Sequence, residues 1–348
     1  MKLQHNVSLA GYTSLHAGGQ AEILIELERG ESLEKIVKNA ERPVWVLGYG
    51  TNVLISDKGL PGTVVINRFG GIDIGKDGLI RADSGADWDE LIRKAIDHNL
   101  WGLEFTSGIP GGVGAAVAGN IAAYGHKVSD SFTEATLLDT ETGKITKWGP
   151  DDFGFGYRSS SLQTAENRRF VVLETIFKLN HSPTSELEYG SALKVAAELG
   201  IKPDTLGSRR RIIMEARRRA GSLLLAPGES HFTAGSFFKN PMIDESQIQS
   251  ILKHEESAIS REQLLRQNII HGGSQARVSA AHVLLAAGFK RGQTWGQVRL
   301  HPDHILKVEN IGAATAAQIY DVVMDIIFTV KQKLDVALEP EVRFLGEF

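Results

Sequence analysis

The order of apolar and polar residues predicts short strands that alternate with amphipathic helices. Apolar residues recur at helical spacing from Leu33 to Ala40, from Trp88 to Ile96 and, on a longer stripe, from Ile319 to Leu334. Runs rich in β-branched residues indicate strands, and they lie at 44–47, 53–55, 64–66, 170–173 and 342–345. We therefore expect a protein of mixed helices and strands.

A change in composition predicts where the chain divides into domains. The stretch 181–208 mixes proline, serine and glycine with a short helical pattern, which is typical of a boundary. A chain of 348 residues usually forms two or three domains. We expect residues 1–66 with 319–348 to form one domain, 67–207 a second and 208–318 a third.

Composition excludes several kinds of chemistry. The chain has no cysteine, which rules out disulfides, zinc–thiolate sites, iron–sulfur clusters and thiol nucleophiles. Its net charge of −4 argues against a general nucleic-acid partner, because binding to phosphates usually requires a basic excess. No apolar run reaches the ~20 residues of a membrane span, and the N-terminus lacks the apolar core of a signal peptide. We expect a cytoplasmic protein with no membrane insertion.

A first glycine turn lies between two predicted strands, in the segment Leu47-Gly48-Tyr49-Gly50-Thr51-Asn52-Val53-Leu54. It is not a dinucleotide fingerprint, because Val53 replaces the third glycine and a strand follows where a Rossmann turn opens a helix. Its N–H groups, with the Thr51 hydroxyl and the Asn52 amide, can bind an anionic pyrophosphate. On this segment alone, a plain hairpin turn is the simpler interpretation.

A second segment, 108–125, holds six glycines and five alanines in eighteen residues. Glycine loses more conformational entropy on folding than any other residue, so this density of glycine destabilises the fold. We therefore expect the exposed main chain to have a use that compensates for the loss. A large flat ligand lying on the main chain is one such use, and a tightly packed core rich in turns is the alternative.

The two glycine segments together resemble the flavin-binding region of flavoproteins of the vanillyl-alcohol-oxidase type. More narrowly, they resemble that of the UDP-N-acetylenolpyruvoylglucosamine reductases of peptidoglycan precursor synthesis. Three further segments extend this resemblance over nearly the whole chain, and they are 155–160 (Phe-Gly-Tyr-Arg-Ser-Ser), 234–241 (Ala-Gly-Ser-Phe-Phe-Lys-Asn-Pro) and 338–346 (Leu-Glu-Pro-Glu-Val-Arg-Phe-Leu-Gly).

This resemblance implies a fold class and an activity. The fold is α+β, with a two-subdomain FAD-binding fold of the vanillyl-alcohol-oxidase type and a C-terminal α+β substrate domain. The activity is NADPH-dependent, FAD-mediated reduction of UDP-N-acetylglucosamine enolpyruvate to UDP-N-acetylmuramate, which serves cell-wall biogenesis, cell shape and cell division. We expect a monomer whose partner is a UDP-sugar, with FAD as cofactor and NADPH as co-substrate.

Three residues match the catalytic residues of the resembled family. Arg158 stands at the position of an arginine that stabilises the developing charge, a task that suits a bidentate and permanently charged guanidinium. Ser236 stands at the position of the proton donor, and Glu341 at that of a glutamate that helps orient or protonate the enol. Taken singly, each has an ordinary structural explanation, and only the matched set of three favours catalysis.

The resemblance also implies cofactor and substrate contacts. The predicted FAD contacts are Leu47, Gly48, Tyr49, Gly50, Thr51, Asn52, Val53, Leu54, Ile109, Pro110, Gly111, Gly114, Ala115, Asn120, Ala122, Tyr124, Gly125 and Arg343. The predicted substrate contacts are Tyr189, Arg217, Arg218, Arg219, Lys239 and Asn240. Tyr189 matches the mobile loop of one branch of the family. Neither glycine segment offers a histidine at the flavin-facing matches, so we expect no covalent flavin linkage.

The chain departs from the family pattern before the serine motif. A Lys-Leu-Pro-Asp-Pro element that supplies a phosphate-binding lysine is absent, and one of Arg217, Arg218 or Arg219 is the expected replacement. Residues 295–300 and 122–125 also differ from the usual motifs. Two alternatives therefore stay open: a flavin oxidoreductase of the same fold that acts on another sugar or alcohol, and a catalytically silent nucleotide-sugar-binding relative.

The pair His301 and His304 suggests a metal site at first sight. Pro302 disturbs helical spacing between them, and no cluster of carboxylates accompanies the pair. We therefore expect no metal.

Overall fold

A computed structural model describes residues 2–223, 232–253, 260–265 and 276–348. The described residues group into two compact units. The first unit comprises Lys2–Val7, Ala21–Tyr49 and Pro61–Leu223. The second comprises Ser8–Gln20, Gly50–Leu60 and the described residues from Phe232 onward.

Short strands and helices make up both units. The strands are β1 (Lys2–Ser8), β2 (Gln20–Glu26), β3 (Val44–Leu47), β4 (Val53–Ile55), β5 (Leu60–Ile66), β6 (Ile72–Ile74), β7 (Leu79–Asp83), β8 (Ala122–Ala123), β9 (His126–Lys127), β10 (Phe132–Asp139), β11 (Ile145–Trp148), β12 (Phe170–Lys178), β13 (Phe232–Ser236), β14 (Met242–Ile243), β15 (Ala276–Arg277), β16 (Thr294–Trp295), β17 (Val298–Leu300), β18 (Lys307–Asn310) and β19 (Arg343–Leu345). The helices are α1 (Leu33–Asn39), α2 (Trp88–Asp97), α3 (Val113–Ala118), α4 (Pro150–Phe153), α5 (Gly190–Leu199), α6 (Leu206–Arg219), α7 (Glu245–Leu252), α8 (Ala280–Ala286) and α9 (Ala316–Leu334). This mixture confirms the α+β class.

The first unit contains two larger sheets. One has the strand order β1-β2-β5-β3, with β3 parallel to β5, and the other has the order β11-β10-β12-β7-β6 with antiparallel neighbours. Helix α2 buries Trp88, Leu91 and Ile92 in a core shared with strands of the second sheet and with α3. Each such buried apolar side chain stabilises the fold by about 2 kcal/mol relative to exposure.

Helices α5 and α6 complete the first unit. Thr205 caps α6, because its hydroxyl accepts a hydrogen bond from the N–H of Ser208 at 3.1 Å. Ile212, Ile213 and Ala216 of α6 pack with the buried residues of α5. The contacts of residues 208–223 are therefore with the first unit.

The second unit is built around an antiparallel sheet of strand order β13-β18-β17-β16. Helix α9 buries a stripe that includes Ile319, Val323 and Ile326 in the same core as Leu300 of β17 and Val308 of β18. Strand β19 pairs with β4 in parallel, which lays the C-terminal strand against the residues that follow the first glycine turn. This pairing positions part of the candidate site.

Most of the predicted elements are confirmed. The apolar periods at 33–40, 88–96 and 319–334 are α1, α2 and α9, and the predicted strands are β3, β4, the end of β5, the start of β12 and β19. The three-domain division stays a prediction. Every helix within the described ranges is too short or too polar to span a lipid bilayer.

Candidate active site

The first glycine turn begins at the end of the edge strand β3. The Leu47 carbonyl accepts a hydrogen bond from the N–H of Asn67 at 2.7 Å. The Gly48 carbonyl accepts one from Nε of Arg68 at 3.1 Å, and the Tyr49 hydroxyl donates to the Arg68 carbonyl at 3.3 Å. The chain after β5 therefore holds this turn in place.

The second glycine segment is fixed against the start of α2 and the end of β7. The N–H of Trp88 donates to the Gly111 carbonyl at 2.9 Å, and the N–H of Gly114 donates to the Ser84 carbonyl at 2.9 Å. A Cβ on Gly114 would lie 2.7 Å from Cβ of Ser84, closer than real side chains approach. Glycine at 114 is thus required by packing.

The two glycine segments lie side by side within the first unit. A Cβ on Gly112 would lie 3.6 Å from Cε2 of Tyr49, although the two residues are separated by some sixty positions. The Asn67 side chain links the loops beneath them, because its Nδ2 donates to Oγ of Ser84 at 3.0 Å. Tertiary structure therefore joins two sequence motifs into one main-chain surface.

This surface offers backbone hydrogen-bond donors. Within the part of the chain that the structure describes, the N–H groups of Gly48, Tyr49, Gly111, Gly112 and Ala115 donate to no protein acceptor. Several N–H groups on adjoining turns, with little side chain in the way, are what an anionic pyrophosphate requires. The residues present therefore fit FAD, which the family resemblance implied.

The remainder of the first glycine turn lies in the second unit, where it meets the C-terminal motif. Gly50 has φ +66°, and a Cβ there would lie 2.0 Å from the carbonyl oxygen of Tyr12, so only glycine fits. Nδ2 of Asn52 donates to the Glu341 carbonyl at 3.2 Å, and the N–H of Arg343 donates to the Asn52 carbonyl at 3.1 Å. Asn52, Glu341 and Arg343 are thus brought together.

Ser236 and Glu341 also lie near each other in the second unit. Ser236 ends β13, and the next residue, Phe237, donates its N–H to Leu306 and accepts at its carbonyl the N–H of Glu341 at 2.8 Å. Both side chains are half-buried. Two of the three predicted catalytic residues, about a hundred positions apart in the sequence, therefore sit one backbone hydrogen bond from each other.

Arg158 lies in the first unit, on a tight turn held by α3. The N–H of Gly156 donates to the Ser159 carbonyl at 3.0 Å, and Arg158 adopts a left-handed φ of +52°. Asn120, buried just beyond α3, donates its Nδ2 to the Gly156 carbonyl at 2.9 Å. Helix α3, within the second glycine segment, thus runs from the glycines at 111–112 to the residues that fix the turn of Arg158.

Arg217 projects from α6 toward the same region. It is half-buried, and its Nη2 donates to the Ser222 carbonyl at 2.7 Å. Burial is the main cause that lowers the pKa of Arg217 below its usual value. Tyr124 opposes this shift, and the like charge of Arg158 adds to it. Two guanidinium groups and a tyrosine therefore lie within electrostatic reach of one another.

Tyr124 and Tyr189 pack edge to face, with ring centroids 5.2 Å apart. Burial raises the pKa of Tyr124 to about 12, so its hydroxyl keeps its proton at any ordinary working pH. Tyr189 occupies the N-cap position of α5, without a capping hydrogen bond from its side chain. The predicted loop tyrosine thus rests on a ring of the second glycine segment.

The three predicted arginines of α6 face different ways. Arg218 and Arg219 lie on the exposed side and pair with Glu215 at 2.7 and 2.8 Å. Their pairing gives Glu215 a pKa of about 2. Arg217 alone of the three faces Arg158 and Tyr124.

Lys239 and Asn240 connect the serine motif to its neighbours. Nζ of Lys239 pairs with Glu339 at 2.5 Å, and Oδ1 of Asn240 accepts the N–H of Ala280, the first residue of α8, at 3.0 Å. Their predicted contact with substrate stays a prediction.

Residues that the motifs did not identify support the site. Asn67 and Ser84 hold the loops under the glycine segments. Asp89 accepts the N–H of Gly108 and is itself paired with Arg210. Asn67 directly follows a predicted strand, which was an available signal, whereas no strand was predicted before Ser84. Asp89 and Arg210 carry no such signal, because their contact joins two distant helices.

Comparisons with known proteins agree with the motifs. Residues 21–149 match the family model of an FAD binding domain, and residues 227–345 match that of the C-terminal domain of UDP-N-acetylenolpyruvoylglucosamine reductase. The UDP-N-acetylenolpyruvoylglucosamine reductase of Saccharopolyspora erythraea is 32% identical over 346 residues, which cover 96% of this chain and 93% of the relative. That of Mycobacterium marinum is 32% identical, with 99% and 96% covered.

A solved structure shows the same fold. The crystal structure of UDP-N-acetylenolpyruvylglucosamine reductase from Thermus caldophilus superposes with a TM-score of 0.63, over 99% of this chain and 100% of that one. At 23% sequence identity this likeness supports the fold alone. The predicted combination of an FAD-binding domain and a C-terminal domain is confirmed.

Proposed function

The chain belongs to the UDP-N-acetylenolpyruvoylglucosamine reductase family, and we infer that it reduces UDP-N-acetylglucosamine enolpyruvate to UDP-N-acetylmuramate with NADPH and FAD. This is a step of peptidoglycan precursor synthesis. The geometric observation that carries the inference is the hydrogen bond that seats Glu341 beside the residue following Ser236. It gathers an acid and a hydroxyl at one place, as the protonation of a reduced enolpyruvate requires.

The main-chain surface of the two glycine segments would hold the cofactor. The N–H groups of Gly48, Tyr49, Gly111 and Gly112, which donate to no acceptor among the described residues, would bind its pyrophosphate. When bound, FAD would supply the chemistry of hydride transfer between NADPH and the enolpyruvyl double bond. The hydrogen bond between the side chains of Asn67 and Ser84 holds together the loops that support the two segments.

Arg158 would stabilise the charge that the reaction creates. Addition of hydride at the methylene carbon leaves negative charge on the neighbouring carbon and its carboxylate. A guanidinium binds a carboxylate through two parallel hydrogen bonds, and it stays charged throughout the reaction. Asn120 fixes the turn that carries Arg158, so the cation need not reorganise during the reaction.

Ser236 would donate the proton that completes the addition. A serine hydroxyl is a weak acid, so it serves only where the carbon is strongly basic and the hydroxyl is held in place. Glu341 would orient that hydroxyl or the enol, which agrees with its backbone contact to Phe237. The pair thus supplies a fixed donor on the face of the substrate that receives the proton.

Arg217 would take the place of the missing phosphate-binding lysine. Of the three adjacent arginines it is the half-buried one, and it lies near Tyr124 and Arg158. A neutral Tyr124 can donate a hydrogen bond to a phosphate oxygen, and Tyr189 rests against it. We propose that these side chains bind the diphosphate of the UDP-sugar.

We place the reaction in the cytoplasm, where NADPH and nucleotide sugars are supplied, and we propose that the chain acts as a monomer. Light scattering of the purified protein at two concentrations checks the second point. A mass that doubles at the higher concentration contradicts it.

Turnover with product analysis tests the proposed function. We expect one NADPH to be oxidised per molecule of UDP-N-acetylglucosamine enolpyruvate, and a product heavier by two hydrogens. Oxidation of a sugar or an alcohol with reduction of oxygen, and no use of the enolpyruvyl substrate, would support the same-fold oxidoreductase instead. Tight binding of the UDP-sugar without turnover would support a catalytically silent relative.

A further inference from the structure

The second glycine segment begins at Gly108, and a half-buried arrangement of side chains on α2 and α6 holds it there. The N–H of Gly108 donates to Oδ1 of Asp89 at 2.7 Å. Both carboxylate oxygens of Asp89 also accept from Arg210, at 2.7 Å each. One carboxylate thus joins the first turn of α2, the middle of α6 and the first residue of the segment.

We propose that the ion pair of Asp89 and Arg210 positions the second glycine segment, which would hold the flavin, at Gly108 and thereby sets the affinity for FAD. This inference rests on the proposed function, since it concerns the segment 109–115 that would hold the pyrophosphate.

The geometry of the pair suits a positioning role. The contact is bidentate, and the side chains of Arg210 and Asp89 are only 19% and 23% exposed. Bidentate guanidinium–carboxylate pairs fix orientation as well as distance, which a single lysine contact does not. Nε of Arg93 approaches the Asp89 carboxylate only to 3.8 Å, so Arg210 is the main cation of Asp89.

The charge state of Asp89 agrees with this arrangement. Burial alone would raise the pKa of Asp89, but the hydrogen bonds from Arg210 and from the Gly108 N–H outweigh it and hold the pKa below its usual value. The carboxylate is therefore ionised at neutral pH. An ionised acceptor makes the stronger hydrogen bond to the Gly108 N–H.

Helix α6 touches the same point a second time. A Cβ on Gly108 would lie 2.6 Å from Sδ of Met214, one helical turn after Arg210. Gly108 also has φ +73°, a conformation that favours glycine. The segment is thus linked to α6 through the Asp89 carboxylate and by close packing against Met214.

The same face of α6 carries Arg217, seven residues after Arg210. Two helical turns separate these positions, so they project in nearly the same direction. One end of this face holds the start of the flavin-holding segment, and the other faces Arg158 and Tyr124. Helix α6 therefore fixes the segment relative to the cations proposed for the substrate.

The test compares FAD affinity among variants of the full-length protein. The variants are Asp89→Ala, Asp89→Asn, Arg210→Gln and Arg210→Lys, and FAD is removed and then titrated back while flavin fluorescence is recorded. We expect Asp89→Ala and Arg210→Gln to raise the Kd for FAD by about tenfold or more. Asp89→Asn should cost less than Asp89→Ala, because its amide oxygen still accepts from the Gly108 N–H.

Matched controls lie beside the tested residues. Glu90→Gln removes the neighbouring carboxylate, which pairs with Lys94 on the surface, and Arg211→Gln removes the exposed arginine after Arg210. Both should leave the Kd for FAD within about twofold of wild type. The double variant Asp89→Asn/Arg210→Gln should lose no more than the worse single variant, because the two residues act as one unit.

Circular dichroism and thermal unfolding of the FAD-free proteins separate positioning from folding. A purely structural pair would lower the melting temperature and leave the Kd for FAD of the folded fraction unchanged, which overturns the inference. Arg210→Lys keeps the charge and serves if Arg210→Gln does not fold, with an expected Kd between wild type and Arg210→Gln. If wild-type protein binds no FAD, both the proposed function and this inference are refuted. If wild type binds FAD and the folded variants bind it equally well, this inference alone is refuted.

Discussion

Ser236 lies directly opposite Lys307 in the pairing of β13 with β18, whereas Thr233, three residues earlier, lies opposite Glu309. Three residues on one strand thus match two on the other, and a bulge at Gly235, with φ +79°, takes up the difference. In a regular strand, Thr233 and Ser236 would point to opposite faces. The bulge places Ser236 on the polar face of the sheet, away from the apolar core that contains Val308.

The bulge makes Gly235 a sensitive position for catalysis. Alanine has room there, since no atom lies within 4 Å of the position its Cβ would take, but it rarely adopts this φ. We expect Gly235→Ala to cost about 1 kcal/mol of stability and to slow reduction of the enolpyruvyl substrate by about tenfold or more. Gly207→Ala in α6, which also has open space but no positive φ, should be neutral or stabilising. Equal kinetics for the two variants would show that the bulge does not orient Ser236.

Asn120 should matter to catalysis through the turn that carries Arg158. Asn120→Ala removes the hydrogen bond to the Gly156 carbonyl and the acceptor for the N–H of Ser129. We expect a loss of about 1 to 3 kcal/mol of stability and a kcat at least about fivefold lower. Asn167→Ala, which removes a similar bond to the Ser161 carbonyl, controls for stability alone. A normal kcat in folded Asn120→Ala would mean that Arg158 needs no such support.

Arg217 should bind substrate phosphate more strongly than either of its two neighbours. Arg217→Gln should raise the KM for the UDP-sugar by about tenfold, because a charge-assisted contact is lost. Arg218→Gln should change it by less than about twofold, since that side chain pairs with Glu215 on the surface. Steady-state kinetics of both variants measures the two KM values. A larger increase in Arg218→Gln than in Arg217→Gln would place the diphosphate on the exposed side of α6.

Acid should destabilise the protein through His304. Burial, followed by the charge of Lys307, lowers the pKa of His304 from 6.5 to about 4. The folded protein therefore keeps this side chain neutral while the unfolded chain binds a proton, so stability falls as the pH drops from 6.5 toward 4 and levels off below that.

Thermal unfolding across that pH range checks this assignment. His304→Gln should remove about 1 to 3 kcal/mol of the acid-dependent loss. The exposed His181→Gln should leave the slope as in wild type. An unchanged slope in His304→Gln would assign the acid sensitivity to other groups, among them His126 and His282, whose pKa values burial also lowers.

Local patterns in the sequence located three helices and five strands of the fold. Helical period located α2 and α9, because each buries one continuous face, and a β-branched run located β3. The sequence showed that Gly50 and Gly114 belong to glycine-rich segments, but the requirement for glycine at these positions comes from tertiary packing. At each position another segment passes too close for a Cβ. Sequence motifs alone cannot name that neighbour.

The arginine run at 217–219 is a case in which the sequence motif did not determine which residue faces the site. Residue type alone made all three equal candidates, and only the phase of the helix separates them. Ile213 and Ala216 are buried, so Arg217 stands near the inner side, whereas Arg218 and Arg219 extend toward Glu215. The contact of Asp89 with Arg210 joins helices about 120 positions apart, and no local sequence pattern predicts it.

Anaerobic spectroscopy of the flavin tests the central claim most directly, with wild type and Ser236→Ala compared in two separate steps. The account predicts a yellow protein that NADPH bleaches equally fast in both, after which UDP-N-acetylglucosamine enolpyruvate restores the oxidised spectrum rapidly in wild type and orders of magnitude more slowly in Ser236→Ala. A protein that stays colourless after reconstitution with FAD, or a reduced flavin that the enolpyruvyl substrate reoxidises equally fast in both, would contradict it.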